Sequence, residues 1–358
     1  MSLDRHLPLI SLPPELGLAA DGSGPAPGPG GDRPRYVLGV DGGATKTLAA
    51  VLDVAQMQLH LGHGGPSNED SVGAQAAAGA ILQAANDAAQ RAGIELDGLD
   101  AAVLALAGTD TDSVARHVHA GGSPSWIVVN DVVGAWATAT GARPGIGVIS
   151  GTGSNVFGVD EQARAWRAGG WGHVLGDEGS GYWLGVRSIA AVLHDRDGSG
   201  PRTKLSEAAL EFFGVQDVAG LVGLVYGKPL SKSEIAAFAV QTARLAENGD
   251  AVAAQLYSDA AHELCAQIAA VIGETGLTGE FPVGLIGSAF KAGAVFIEPL
   301  TAGIAELAPQ AQVEVVEIAP VAGSLMLALH SCSHEHPVEV ERLGELVEQA
   351  LAQSSMSA

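Results

Sequence analysis

Two short runs of small residues stand out for the chemistry they can do. The first is Asp41-Gly42-Gly43-Ala44-Thr45-Lys46-Thr47 and the second is Ser150-Gly151-Thr152-Gly153-Ser154-Asn155. Small residues let main-chain N–H groups come close to a phosphate and point at its oxygens. Thr45 and Thr152 add hydroxyl donors. Lys46 adds a positive charge, and the second run carries none. Neither run has the spacing of a Walker A loop or of a dinucleotide-binding fingerprint. Taken singly, each also fits an ordinary glycine turn in a β-hairpin. Taken together, at equivalent places in two α/β halves, they suit a grip on one polyphosphate from two sides. Asp41 ends the strand before the first run, a good position from which to hold a water of hydrated Mg2+.

Between the runs lies Asn130-Asp131, directly after the apolar stretch Trp126–Val129. A carboxylate at the C-terminal end of a strand opens toward the crevice where α/β sheets bind ligands. Asp is also a favoured helix N-cap, so the same position suits a purely structural role. Between two phosphate loops, however, Asp131 is the leading general base for a substrate hydroxyl. The stretch from Gly169 to Trp183, GGWGHVLGDEGSGYW, combines glycines, aromatic rings and the adjacent carboxylates Asp177 and Glu178 without periodicity. A loop with both flat apolar and hydrogen-bonding groups suits a sugar. His173 within it either takes part or anchors the loop. His330, Cys332, His334 and His336 form a run of metal-ligand types, but their tight spacing favours a solvated connector over a closed tetrahedral shell.

These residues need elements to hold them. A chain of 358 residues, 47% hydrophobic, suggests two domains at about 150 residues each. Lys+Arg 18 against Asp+Glu 40 gives a net charge of −22, which argues against a nucleic-acid partner. Two cysteines cannot build a disulfide framework, no apolar run approaches the ~20 residues of a membrane span, and the start lacks a secretory leader. The expectation is a cytoplasmic α/β protein. Tyr36–Val40 and Leu48–Asp53 read as a hairpin around the first run, and IGVIS (146–150) and NVFGV (155–159) as a second one. Ser71–Ala92 has helical spacing and ends at Gly93. Residues 1–34, rich in Gly and Pro toward their end, read as a flexible tail. Residues 35–141 and 142–336 read as two similar domains facing each other across a cleft, with a last helix (337–355) packing on the first.

With these motifs in view, the chain resembles the BadF/BadG/BcrA/BcrD ATPase family of the actin/hexokinase/Hsp70 ATPase superfamily, and within it the N-acetylglucosamine kinases. The resemblance runs from about Tyr36 to His330 and is most specific at GTGSN (151–155) and GGWGHVLGDEGSGYW (169–183). It implies two ribonuclease-H-like, actin-like ATPase domains, and ATP-dependent phosphorylation of the 6-hydroxyl of N-acetylglucosamine with Mg2+. Asp131 falls where that family keeps its base. Gly42, Gly43, Thr45 and Lys46 match its first phosphate motif, and Gly151, Thr152 and Gly153 its second. Gly287 and Ser288 in GLIGSAFKAG match the adenosine motif, and Ala236 the residue packed on adenine. Asn68, Asp131, Ser154, Asn155, Gly170, Trp171, Gly172 and Asp177 match sugar-binding positions, and Asp41 the Mg2+ position. Ala44 replaces a glycine of the first loop, and Ala107 stands where some relatives have a serine near the sugar. A homodimer is implied as well. Glucosamine is the nearest competing substrate. The family also holds activator ATPases with an iron–sulfur cluster, which need thiolates in exposed loops. Cys265 lies instead in the apolar run ELCAQIAAVI, and Cys332 lies near the C-terminus. A nucleotide sensor that transfers no phosphate is the remaining class.

Overall fold

The computed structural model describes residues 12–16, 18, 35–108, 111–227, 230–332, 338 and 340–356. In chain order the first elements are β1 (Tyr36–Gly42), β2 (Thr47–Asp53), β3 (Gln58–Gly64), α1 (Glu69–Val72), α2 (Ala74–Arg91), β4 (Ala101–Leu106), α3 (Thr111–Gly121), β5 (Ile127–Asn130) and α4 (Asp131–Thr140). β1, β2 and β3 form an antiparallel meander; β4 then pairs parallel to β1, and β5 parallel to β4. The sheet order is β3-β2-β1-β4-β5. β1 and β2 are apolar almost throughout and buried, as strands covered on both faces must be. Leu38, Val40, Val51, Leu104 and Leu106 meet Ile81, Ala85 and Val118 in the core of this sheet. Gly62 of β3 is required there, because a Cβ on it would strike the Ala84 carbonyl of α2.

The chain continues through β6 (Gly145–Ser150), β7 (Ser154–Val159), β8 (Ala165–Gly169), α5 (Gly181–Asp197), α6 (Leu205–Phe213), α7 (Val218–Gly227), α8 (Lys232–Ala237), α9 (Ala239–Glu247), α10 (Ala251–Thr275), β9 (Pro282–Ile286), α11 (Ala294–Leu307), β10 (Gln312–Val315), α12 (Val321–Cys332) and α13 (Val340–Met356). The second sheet runs β10-β9-β6-β7-β8, so from its other edge it repeats the order of the first: hairpin partners on one side, later strands on the other. This is the ribonuclease-H-like arrangement, present twice. α5 to α10 form a helical insertion with its own core around Leu205, Leu221, Phe238 and Ala253. No single helix among the described residues is long and apolar enough to cross a membrane.

The chain divides into two compact units: Met1–Gly147 with Phe157–Trp166 and Val316–Ala358, and Val148–Val156 with Arg167–Val315. The division differs from domains of 35–141 and 142–336 in that 142–147, 157–166 and 316–336 fall in the first unit. The reason is α12, which packs on β1, β4 and α4 and so returns the end of the chain to the first unit. Its Gly323 allows the approach, since a Cβ there would strike the Gly134 carbonyl. α13 packs on β3 and α12. The N-terminal segment also departs from its reading as a tail at one point. Pro14–Leu16 forms a short helical turn, and Leu16 is completely buried, with that turn lying against α12. The helix expected over Ser71–Ala92 is two helices, broken at Gly73, whose φ of 81° no helix accommodates.

Candidate active site

Each unit holds one cluster of the residues singled out above. In the first unit, the turn between β1 and β2 closes with Gly43 N–H donating to the Lys46 carbonyl (3.1 Å). Thr45 and Lys46 are exposed in it. Beneath it, buried Thr47 donates from Oγ1 to the Gly65 carbonyl at 2.8 Å and lies 2.8 Å from the Ser67 hydroxyl, and Ser67 N–H donates to the Gly43 carbonyl at 2.9 Å. The turn is thereby fastened to the loop that carries Asn68. A Cβ on Gly42 would stand 2.6 Å from Ser67 Oγ and 2.7 Å from Leu106, so only glycine fits at that junction. Asn68 caps α1 by accepting the Asp70 N–H at 2.9 Å, which occupies its oxygen and leaves its NH2 group as a donor.

Asp131 is not the N-cap of α4. Asn130 takes that role: its Oδ1 accepts the Val132 N–H, and its Nδ2 donates to the Gly108 carbonyl, each at 3.2 Å. Asp131 is therefore the first helical residue, half-buried at the C-terminal end of β5. Asp41 is half-buried at the corresponding end of β1. Loss of surrounding water and the facing Asp131 carboxylate push Asp41 from its ordinary 3.8 up to about 6, against a lowering by Lys46. A half-buried acid held up by a second carboxylate is the setting that a divalent cation relieves, so the pair fits a hydrated Mg2+.

In the second unit, Gly151 N–H donates to the Gly153 carbonyl (2.9 Å) and closes the turn between β6 and β7. The glycine- and aromatic-rich loop is laced onto that turn. Ser150 Oγ donates to the Gly179 carbonyl (2.8 Å), Ser154 Oγ to the Glu178 carbonyl (2.7 Å), and the Gly181 N–H to the Gly151 carbonyl (2.8 Å). The residues matched to adenosine lie against the same turn. A Cβ on Gly151 would stand 3.7 Å from Ser288 Oγ, and one on Gly181 would stand 3.6 Å from the Ala236 methyl. Gly287, with φ 127°, is so close that a Cβ would strike the Ser150 carbonyl. Gly151, Thr152, Gly153, Ala236, Gly287 and Ser288, spread over more than a hundred positions of sequence, thus converge on one corner.

Of the sugar-matched residues, Gly170, Trp171, Gly172 and Asp177 occupy the adjoining loop, and Asn155 of β7 lies against it, 2.6 Å from where a Cβ on Gly170 would stand. Asp177 is buried, with φ 59°, a left-handed conformation that Asp tolerates better than most residues. Trp171 is 57% exposed, and the Arg167 guanidinium lies 5.1 Å from its ring centroid. His173 packs edge-to-face on Tyr182 at 5.1 Å.

Two residues here escaped the sequence reading. Lys232, the first residue of α8, places Nζ 2.6 Å from Asp177 Oδ2. Gln267 of α10 lies against Gly169, where a Cβ would strike its Oε1. The side-chain oxygens of Asn155 and Gln267 are both buried without a hydrogen-bond partner among the described residues, acceptors that a hydroxyl or amide N–H would satisfy. A signal for Lys232 does exist in the sequence: Ser231 and Glu234 form a capping box that starts its helix.

Other features resolve simply. Burial pushes the thiols of Cys265 and Cys332 up, the second to about 11. Both thiols lie against main-chain carbonyls, as in a packed interior rather than a cluster-binding loop. No three His, Cys, Asp or Glu side chains come together as a metal-ligand group among the described residues, and His334 and His336 lie outside those residues.

Known proteins are similar to this chain in sequence and in fold. The chain is 32% identical over 245 residues to an N-acetylmuramic acid/N-acetylglucosamine kinase of Clostridium acetobutylicum, covering 66% of this chain and 79% of that one. It is 29% identical over 311 residues to an N-acetyl-D-glucosamine kinase of Dictyostelium discoideum, covering 82% and 98%. A crystal structure of a candidate N-acetylglucosamine kinase from Chromobacterium violaceum superposes with a TM-score of 0.65 at 26% identity, covering 82% of this chain and 99% of that one. The BadF/BadG/BcrA/BcrD ATPase family model matches residues 38–328, and the chain belongs to that family.

Proposed function

We propose that the protein transfers the γ-phosphoryl group of ATP to the 6-hydroxyl of N-acetylglucosamine, with Asp131 as general base. The observation that carries this reading is the placement of Asp131, the first residue of α4 at the C-terminal end of β5, with its carboxylate close enough to Asp41 beside the first glycine turn to raise it. The names of the two curated relatives support the sugar class.

In the transfer, the sugar O6 forms a bond to the γ-phosphorus while its proton passes to the Asp131 carboxylate. The bond from the γ-phosphorus to the bridging oxygen breaks, and ADP leaves with that electron pair. Main-chain amides of the two glycine turns, with the Thr45 and Thr152 hydroxyls, donate to phosphoryl oxygens, where preorganised donors act most strongly. Mg2+, held through water at Asp41, would neutralise triphosphate charge. Asn68 and Asn155 supply hydrogen bonds to sugar hydroxyls, and Trp171 offers an apolar face.

ADP release measured over N-acetylglucosamine, N-acetylmuramic acid, glucosamine and glucose tests this reading. The expected result is the highest kcat/KM for N-acetylglucosamine, with a phosphomonoester at O6 by phosphorus NMR. Preference for glucosamine would move the assignment to that substrate. ADP release that no sugar accelerates would leave a nucleotide-binding sensor and end the kinase reading.

A further inference from the structure

The second glycine turn has no positive charge of its own, yet the fold places one against it. A Cβ on Gly153 would stand 3.1 Å from Lys232 Nζ and 3.0 Å from Asp177 Oδ2. The two charges pair at 2.6 Å. They are unequally exposed: the lysine side chain is 33% accessible and the aspartate 5%. One ammonium hydrogen serves Asp177, and an ammonium has three. Asp177 in turn accepts the Ser154 N–H of the turn itself at 3.4 Å. The helix that Lys232 opens also carries Ala236, which lies against Gly181 at the same corner.

We propose that Lys232 is a phosphate-binding residue of the second turn, donating a remaining N–H to a nonbridging phosphoryl oxygen of the nucleotide, while Asp177 fixes the position of its ammonium. The inference rests on the reading that residues 150–154 hold phosphate, and it adds a cation that no motif in the turn supplies. The physical case is one of charge. On a chain with a net charge of −22, a polyphosphate needs local cations, and a lysine steered by a buried carboxylate is ordered before ligand arrives. Asp177 in this arrangement joins the phosphate turn to the loop matched to sugar.

The test is calorimetric binding of ATP, ADP and adenosine to wild type, Lys232→Met and Lys232→Arg. Lys232→Met is expected to weaken ATP and ADP at least tenfold and adenosine less than twofold; Lys232→Arg is expected to stay within about threefold of wild type for all three. Because removing Lys232 leaves a buried carboxylate unpaired, thermal unfolding is followed alongside, and Lys232→Met/Asp177→Asn serves as the second variant. The double variant should regain thermal stability without regaining ATP affinity. Equal weakening of all three ligands, unchanged ATP affinity in Lys232→Met, or recovery of ATP affinity in the double variant would overturn the proposal. Wild-type protein that binds ATP but phosphorylates no sugar would sink the kinase reading alone. Wild type that binds neither ATP nor ADP would sink both.

Discussion

The two glycine turns do the same geometric job with opposite electrostatics. Beside the first, two carboxylates face each other, and burial, reinforced by their mutual repulsion, lifts Asp41 to about 6. Beside the second, Lys232 and Asp177 attract and close to 2.6 Å. The first turn carries its lysine within its own sequence, exposed at position 46. The second takes its lysine from a helix some eighty positions later. The contrast teaches that one turn is preloaded with negative charge and so invites a cation, whereas the other is preloaded with a neutral pair that can lend a donor. Similar backbone turns thus come with different charge in their surroundings.

The sharpest way to break this contrast is Asp131→Asn. It removes the proposed base and one half of the like-charged pair at once. The expected loss in kcat is about 10²- to 10⁴-fold with N-acetylglucosamine, and the Asp41 titration followed by NMR should move down toward the ordinary carboxylate range. A variant that keeps full turnover would refute the assignment of the base.

Next in size is a comparison of backbone fit. Gly287→Ala forces a side chain onto φ 127° and into the Ser150 carbonyl, and should cost about 3 kcal/mol or more in urea unfolding. Gly43→Ala meets only the Lys46 carbonyl at 3.5 Å. It should leave stability within about 1 kcal/mol of wild type, while raising the KM for ATP by blocking phosphate approach. Equal destabilisation by both would mean that the two turns are packed alike.

The smallest expected effect is the pH dependence of the first turn. A folded-state Asp41 titrating near 6 binds its proton more tightly than in the unfolded chain, at 3.8. Its contribution to stability is therefore present in acid and lost as pH rises from about 4 through 6. By linkage the loss is at most about 3 kcal/mol. Other carboxylates run the opposite way, since hydrogen bonds lower Asp195 and Asp250. The measurement is accordingly the difference between wild type and Asp41→Asn at pH 4 and pH 7. A difference that does not change between the two would show that burial and the facing carboxylate do not hold Asp41 up.

How much of this was legible beforehand follows from how local each feature is. The β1–β2 and β6–β7 hairpins and the helix after β5 lie in continuous apolar runs punctuated by glycine, and sequence periodicity finds them. β3 was missed because QLHLGHG alternates weakly and keeps its glycines for contact with α2, a relation between elements that no window contains. β8, half-buried along its whole length, offers no alternation either. The choice of Asn130 over Asp131 as cap depends on one residue of register, which both side chains satisfy equally well on paper. The capping box of Ser231 and Glu234 marks where the helix of Lys232 starts, but nothing in the sequence of α8 or α10 says that Lys232 or Gln267 reaches the second turn and its loop. The resemblance matches Ala236 and Gly287 to nucleoside positions, and the structure places both against the second turn, a proximity that no window contains.

Leu16 is a peg in a socket. Its side chain is fully enclosed, with its short helical turn against α12, the helix that also lines β1, β4 and α4. A shortened version of the protein that began at Arg35, where composition alone would place the scissors, would leave an apolar hole behind the sheet that bears Asp41 and Asp131. The stretch that looks most disposable is therefore the one to keep.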